Sequence, residues 1–254
     1  MYVQFRKVIV IFLISTIFVA GQTSLSSTQP TRLITIPTAG ILPAGSYQLD
    51  LNLYNEGGVS TGVEASLTDR LMIGVSYTAS KLIGNQNIEW GVRPEAKIKY
   101  RIVDETQKHP AFVIGFNSRG RKGYDDSSNK YKIKAKGAYF CLSRNFKFLG
   151  NLGIHGGINY NPIENENDKD PSFFLGFDKS INSEISVLGE YDAGLNSDGD
   201  TGKYEFTEGY LNVGVRWRMF EKLHFELDFI DILKNSHLKD SFDREVTLYY
   251  VDYF

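Results

Sequence analysis

The chain has 254 residues, with Lys plus Arg at 28, Asp plus Glu at 30 and a formal net charge of -2. That balance excludes a general nucleic-acid binder, which carries a clear basic excess. One Cys excludes an intramolecular disulfide framework and a Cys-clustered zinc site, and a hydrophobic fraction of 42% is too low for a polytopic helical membrane protein. A membrane β-barrel stays compatible, because it is apolar only on alternate residues.

Residues 1–21 read as a cleavable signal peptide. Arg6 and Lys7 precede an apolar run of about 13 residues, too short for a bilayer span, and Val19-Ala20-Gly21 supplies small residues for cleavage. No Cys follows the run, so no lipoprotein anchor is expected. Residues 22–45 form a leader, rich in Ser, Thr and Gln at its start, and a candidate plug segment.

From residue 46 onward the pattern has a period of two. Leu49, Leu51 and Leu53 alternate with Gln48, Asp50 and Asn52. Ile73, Val75 and Tyr77 follow, then a run over residues 90–103 with Ile98, Tyr100 and Ile102 against Lys97, Lys99 and Arg101. Phe112, Ile114 and Phe116 make the next run. Tyr131, Ile133, Ala135, Tyr139 and Cys141 are expected to share a lipid face against Lys132, Lys134 and Lys136. Further runs contain Ile154 and Ile158, Phe173 to Phe177, Ile185 to Tyr191, Val213 to Trp217 and Phe225 to Phe229. The last, residues 245–254, has no clear parity.

The total is about twelve strands, an even count as closed bacterial barrels require. Connections alternate in length. Tight turns are expected at Thr68-Asp69-Arg70, Arg144-Asn145, Ser180-Ile181-Asn182 and Phe220-Glu221, with residues 104–109 slightly longer. Residues 81–87, 118–130, 161–171, 192–205 and 232–244 are long and polar. Short turns on one side and long loops on the other are the outer-membrane pattern, with both termini periplasmic. A secreted β-sandwich or lipocalin-like barrel would share the alternation. The export signal, the turn asymmetry, the aromatic load and the terminal Phe254 favour the membrane. Tyr77, Trp90, Tyr100, Phe146, Tyr160, Trp217, Phe220 and Tyr249 are among the girdle candidates. The expected fold is therefore all-β, an antiparallel up-and-down transmembrane β-barrel over residues 46–254, in the outer membrane of a Gram-negative-type bacterium.

Ile36-Pro37-Thr38-Ala39, followed by Leu42-Pro43 and Gly45, resembles the opening of the YjbH-like group of outer-membrane barrels. The resemblance implies an association with exopolysaccharide export and with polysaccharide export proteins. Other expected partners are outer-membrane lipid, lipopolysaccharide and the barrel assembly machinery, which reads a terminal aromatic. The chain lacks the lipobox Cys and the length of tandem-barrel members.

If apolar faces meet lipid, the opposite parity lines the lumen. A basic wall is expected from Lys97, Lys99, Arg101, Lys132, Lys134 and Lys136, with Arg119 near the outer end. An acidic side is expected from Glu184, Glu190, Glu226 and Asp228, joined by Asp50 and Glu64, and with Arg216 and Arg218 paired into it. Two readings follow: a pore selecting charged or polar solutes, with acidic saccharide as natural passenger, or a salt-bridged lumen in a structural or interaction barrel. A remote third is an outer-membrane lipid hydrolase, for which His155, His224 and Ser186 are the only nearby groups and no nucleophile motif exists. No catalytic residue, cofactor or metal is assigned. Residues 196–202 carry alternate oxygens but lack the Gly and closing Glu of an EF-hand, and read as an acidic loop.

Overall fold

In a computed structural model of the chain, the structure describes residues 29–125, 130–164, 170–195, 209–235 and 242–254. The expected signal peptide, residues 22–28 of the leader and the acidic motif at 196–202 lie outside the described residues. The strands are β1 (Ser46–Tyr54), β2 (Gly58–Ser66), β3 (Leu71–Ser80), β4 (Glu89–Trp90) and β5 (Glu95–Val103). They continue with β6 (Ala111–Asn117), β7 (Arg121–Asp125), β8 (Lys130–Ile133), β9 (Gly137–Lys147) and β10 (Asn151–Tyr160). The last five are β11 (Ser172–Ser180), β12 (Ile185–Asp192), β13 (Tyr210–Arg218), β14 (Leu223–Ile230) and β15 (Asp243–Tyr253).

Thirteen strands share one sheet, and twelve of them close into an antiparallel barrel. The thirteenth, β4, is a two-residue spur on β3. Closure runs through β1 and β15, from Ser46 opposite Tyr253 to Leu53 opposite Val246. In lipid this closure is obligatory, because an open edge would leave backbone amides unpaired. The strands β7 and β8 form a separate hairpin on the long-loop side. At the β1–β2 turn, Glu56 and Gly57 have φ of 64° and 67°, and a Cβ on Gly57 would meet the Ile83 carbonyl oxygen at 1.9 Å. Only glycine fits there.

The burial pattern is inverted relative to a soluble protein. Leu49, Leu51, Val63, Val75, Ile98, Ile114, Leu142, Ile158 and Leu175 are exposed on the outer face. Gln48, Asp50, Asn52, Glu64, Lys99, Ser143, His155, Glu190, Asn212, Glu226 and Thr247 are buried on the inner one. A soluble sandwich would place its apolar residues inside; this wall places them outward in a continuous belt, which only lipid covers. Exposed Tyr77, Trp90 and Tyr160 flank the belt on the long-loop side, and Tyr100, Phe146, Trp217 and Phe220 on the other. The closed even-numbered wall, the belt and the turn asymmetry place the chain in an outer membrane.

Several local expectations are corrected. The run over 131–141 is not one strand. It ends with β8, crosses at Lys134-Ala135-Lys136, and restarts at Gly137, whose φ is 64°. Tyr131 and Ala135 are buried before the restart, and β9 turns Ala138 and Leu142 outward, so Tyr139 and Cys141 point inward; none of the four faces lipid. Likewise Trp90 belongs to the spur, and β5 begins only at Glu95. Arg144 and Asn145 remain in β9, because the turn falls at Phe148-Leu149-Gly150, where Leu149 and Gly150 both have positive φ. The last strand has a definite parity: Glu245, Thr247 and Tyr249 face in, so Tyr249 is a lumen residue rather than a girdle one.

A charge on the outer belt tests the membrane placement. Ile98→Arg is expected to lower stability in lipid vesicles by about 2–4 kcal/mol, measured by urea unfolding. An unchanged midpoint would contradict a lipid-facing Ile98.

Candidate functional site

Residues 29–45 occupy the lumen. The sequence explains why they go there: Leu33, Ile34, Ile36, Ala39, Ile41 and Leu42 are apolar, and all are buried. The amide of Leu33 donates to the Ile36 carbonyl (3.0 Å) and Arg32 bridges to Pro37, which makes a tight hairpin with Ile34-Thr35 at its tip. The wall makes room with inward glycines. A Cβ on Gly176 would meet Leu33 at 2.5 Å and Ile36 at 2.9 Å, and one on Gly214 would meet Ile34 at 3.1 Å.

The tip docks on one carboxylate. Glu190 of β12 accepts the amides of Ile34 (3.0 Å), Thr35 (2.8 Å) and Ile36 (3.2 Å), together with the Thr35 hydroxyl. Asn212 of β13 donates to the same carboxylate at 2.7 Å and fixes its orientation. Three backbone amides converging on an anion form a nest, and hydrogen bonds to an ionised acceptor are roughly twice as strong as neutral ones. Beside it, Arg216 is paired with Glu226 at 2.5 Å and donates to the carbonyls of Arg32 and Leu33 at 3.2 Å each. Arg32 lies 5.2 Å over the Tyr249 ring and donates to its hydroxyl at 2.6 Å.

The other end of the plug is held by cations. Lys99 donates to the carbonyls of Thr31 (2.5 Å) and Gly40 (3.0 Å), and Arg101 to that of Ala39 (3.0 Å). From β9, the Cys141 thiol donates to the Pro37 carbonyl at 3.3 Å. Ser143 Oγ accepts the Ala39 amide at 2.7 Å. The walls formed by β5–β9 and by β12–β15 face each other across the barrel, and the plug bridges them.

The structure places the expected lumen residues as follows. Lys97, Lys99 and Arg101 line β5 and face in; Glu190, Glu226 and Asp228 line the opposite wall. Lys97 pairs with Glu64 at 2.6 Å and Arg119 with Asp50 at 3.3 Å. Arg119 is thus part of the lumen. Lys134 and Lys136 are buried, but on the segment crossing the mouth rather than on a barrel strand, and Lys136 is ion-paired with Asp192. The side chain of Lys132 lies outside the described residues. The six cations consequently do not form one ladder. Glu184 is not in the lumen: it is exposed in the turn before β12, where its amide donates to Asn182 Oδ1 at 2.8 Å. Arg218 is also exposed, and donates to the Ser183 carbonyl rather than to the acidic strands. Cys141 touches the plug rather than lipid, because β9 turns Ala138 and Leu142 outward and Cys141 inward.

The mouth on the long-loop side is covered too. Tyr131 of β8 donates from its hydroxyl to Glu95 at 2.6 Å, and Glu164 accepts the amides of Tyr131 and Ala135 at 3.4 and 3.3 Å. Burial pushes the Glu164 carboxyl above the usual carboxylate range despite those two donors.

One arrangement was not legible in the sequence. His155 Nδ1 lies 2.7 Å from Ser143 Oγ, and Nε2 lies 2.7 Å from Asp178 Oδ1. The expected neighbour Ser186 takes no part. The three residues sit on β9, β10 and β11 at registers that only barrel pairing brings together. Nucleophilic chemistry uses such a chain when the hydroxyl can reach a substrate. Here Ser143 and His155 are fully buried under the plug, and the Ser143 oxygen is engaged by Ala39. The chain Ala39–Ser143–His155–Asp178 anchors the plug to the wall. Among the described residues no cluster of three or more His, Cys, Asp or Glu could hold a metal ion.

No family model matches the chain, and no curated protein does. Among solved structures, a NanC porin is 8% identical, with a TM-score of 0.43 over 82% of this chain and 99% of that one. The translocator domain of autotransporter NalP from Neisseria meningitidis is 9% identical, with a TM-score of 0.37 over 82% and 86%. The outer membrane channel DcaP of Acinetobacter baumannii is 8% identical, with a TM-score of 0.31 over 82% and 96%. At these scores the assignment as a barrel rests on the chain's own closed wall.

Removing the dock should release the tip. Glu190→Ala leaves three buried amides without their acceptor, an expected cost of about 2–4 kcal/mol to plug docking. Limited trypsin digestion of the folded protein should then cut after Arg32 much faster than in the wild type. Equal rates would show that Glu190 does not hold the segment.

Proposed function

We propose that the protein is a gated outer-membrane channel whose lumen is closed by its own residues 29–45 and passes polar, anionic saccharide when that segment moves. The observation that carries this reading is the use made of the opposed charges. Glu190, Lys99 and Arg101 bind a peptide segment rather than one another. When the segment leaves, it uncovers an acidic wall facing a basic wall, which is the lining of a charge-selective pore. Lys97, Lys99, Arg101 and Arg119 would then be presented along one side, suited to repeated carboxylates.

The resemblance of residues 36–45 to the YjbH-like group supports a link to exopolysaccharide export, with polysaccharide export proteins as partners. Its motif coincides with the plug: Pro37 and Ala39 carry the backbone groups that β5 and β9 hold. A second reading is favoured by the number of contacts between plug and wall. In it the lumen stays sealed and the barrel acts through its outer loops or a periplasmic partner.

Planar bilayers separate the two. Wild-type protein should be nearly silent, and Glu190→Ala should show stable steps with anion preference. Adding Lys97→Gln and Lys99→Gln to that variant should move the preference toward cations. A Glu190→Ala protein that folds, exposes Arg32 to trypsin and still does not conduct would overturn the channel reading in favour of the sealed barrel.

A further inference from the structure

We propose that the lumen contains a binding site for a small oxyanion, between the plug and the β2–β6 side of the wall. The site goes beyond the channel reading and stands whether or not the lumen conducts. It is a cavity of about 60 Å³, room for a few waters or one carboxylate- or phosphate-sized group but not for a sugar ring.

Its lining is strongly cationic. Arg32, Lys97, Lys99 and Arg119 border it, against a single acid, Glu64. Glu64 is engaged by Lys97 and Asp50 by Arg119. Among the described residues, Lys99 has no carboxylate within ion-pair distance, and its partners are two neutral carbonyls. Arg32 differs, because Glu226, Asp50 and Asp228 act on it electrostatically. A buried cation without a counter-charge is costly. Lys99 has three N–H donors and two protein acceptors, so one donor remains for a ligand. The Tyr139 hydroxyl also borders the cavity and has no hydrogen-bond partner among the described residues, although Tyr139 is only 8% exposed. A buried ammonium with no carboxylate at ion-pair distance, its spare N–H and a spare hydroxyl around one small space fit an acceptor-rich anion. That anion is a free phosphate-like ion or the carboxylate of an acidic sugar whose ring lies outside the cavity.

The test is calorimetric titration of full-length refolded protein in detergent with inorganic phosphate, glucuronate and glucose, with sodium chloride matching ionic strength. Saturable binding of phosphate or glucuronate but not glucose is expected. Phosphate alone would identify a free oxyanion, and tighter glucuronate a sugar acid. Lys99→Gln removes the ammonium and should weaken binding about tenfold. Tyr139→Phe removes a hydroxyl that has no hydrogen-bond partner among the described residues and should weaken it about threefold. Heat-modifiable gel mobility checks the folding of each variant. No saturable heat beyond the chloride control in wild type, or affinity unchanged in both folded variants, overturns the site. Anion-selective conductance by Glu190→Ala without phosphate or glucuronate binding would remove the site and leave the channel reading. Binding in a silent barrel would do the reverse.

Discussion

The Glu190 carboxylate is the contact on which the arrangement of the lumen depends. A closed barrel that turns its apolar residues to lipid must fill its interior with polar ones, and every buried charge there needs a partner. On the β1–β6 side, pairs such as Lys97–Glu64 and Arg119–Asp50 meet that demand within the wall. On β12 it cannot be met that way, because Glu190 faces Asn212 and not a cation on the next strand. The counter-charge comes from three amides of residues 34–36. A segment of the chain thereby becomes a structural ligand of its own barrel.

The other contacts follow from this one. Once the hairpin tip is seated on β12, the chain must return across the lumen to Ser46, at the opposite end of the plug from the tip. The return brings carbonyls of residues 31, 37, 39 and 40 against β5 and β9, where Lys99, Arg101 and Cys141 donate to them. Apolar side chains that would be misplaced in a water-filled pore are accommodated over Gly176 and Gly214. The plug thus combines a polar backbone contact on each wall with an apolar body, and Arg32 is the one charge it carries into the lumen.

Much of this was written in the sequence. Period-two alternation gave the twelve barrel strands and the lipid face, because a barrel keeps that period wherever the wall is unbroken. It failed where the backbone broke. The run over 131–141 is interrupted at residues 134–136, where three successive residues are buried, and β9 turns Ala138 and Leu142 outward, so Tyr131, Tyr139 and Cys141 lie inside rather than on the lipid face. The inward Lys97, Lys99 and Arg101 and the opposing Glu190 and Glu226 were legible for the same reason. What each contacts was not. Glu184 looks inward by alternation but falls in a turn, and the Ser143–His155–Asp178 chain depends on the stagger of three strands. Residues 22–45 read as a leader and candidate plug, but periodicity did not decide whether they enter the barrel, and nothing local to Leu33, Ile34 or Ile36 named Glu190 as their dock.

The central claim is that residues 29–45 lie inside the barrel against β9, and the single cysteine reports on it. Cys141 is fully buried beneath Pro37. A charged, water-soluble maleimide should leave Cys141 unmodified in the folded wild type and label it rapidly in a folded variant lacking residues 29–43, because the thiol then faces an open aqueous lumen. Labelling of the wild type, or continued protection after the deletion, would contradict the account: the first would mean that the plug does not cover Cys141, the second that the thiol faces lipid.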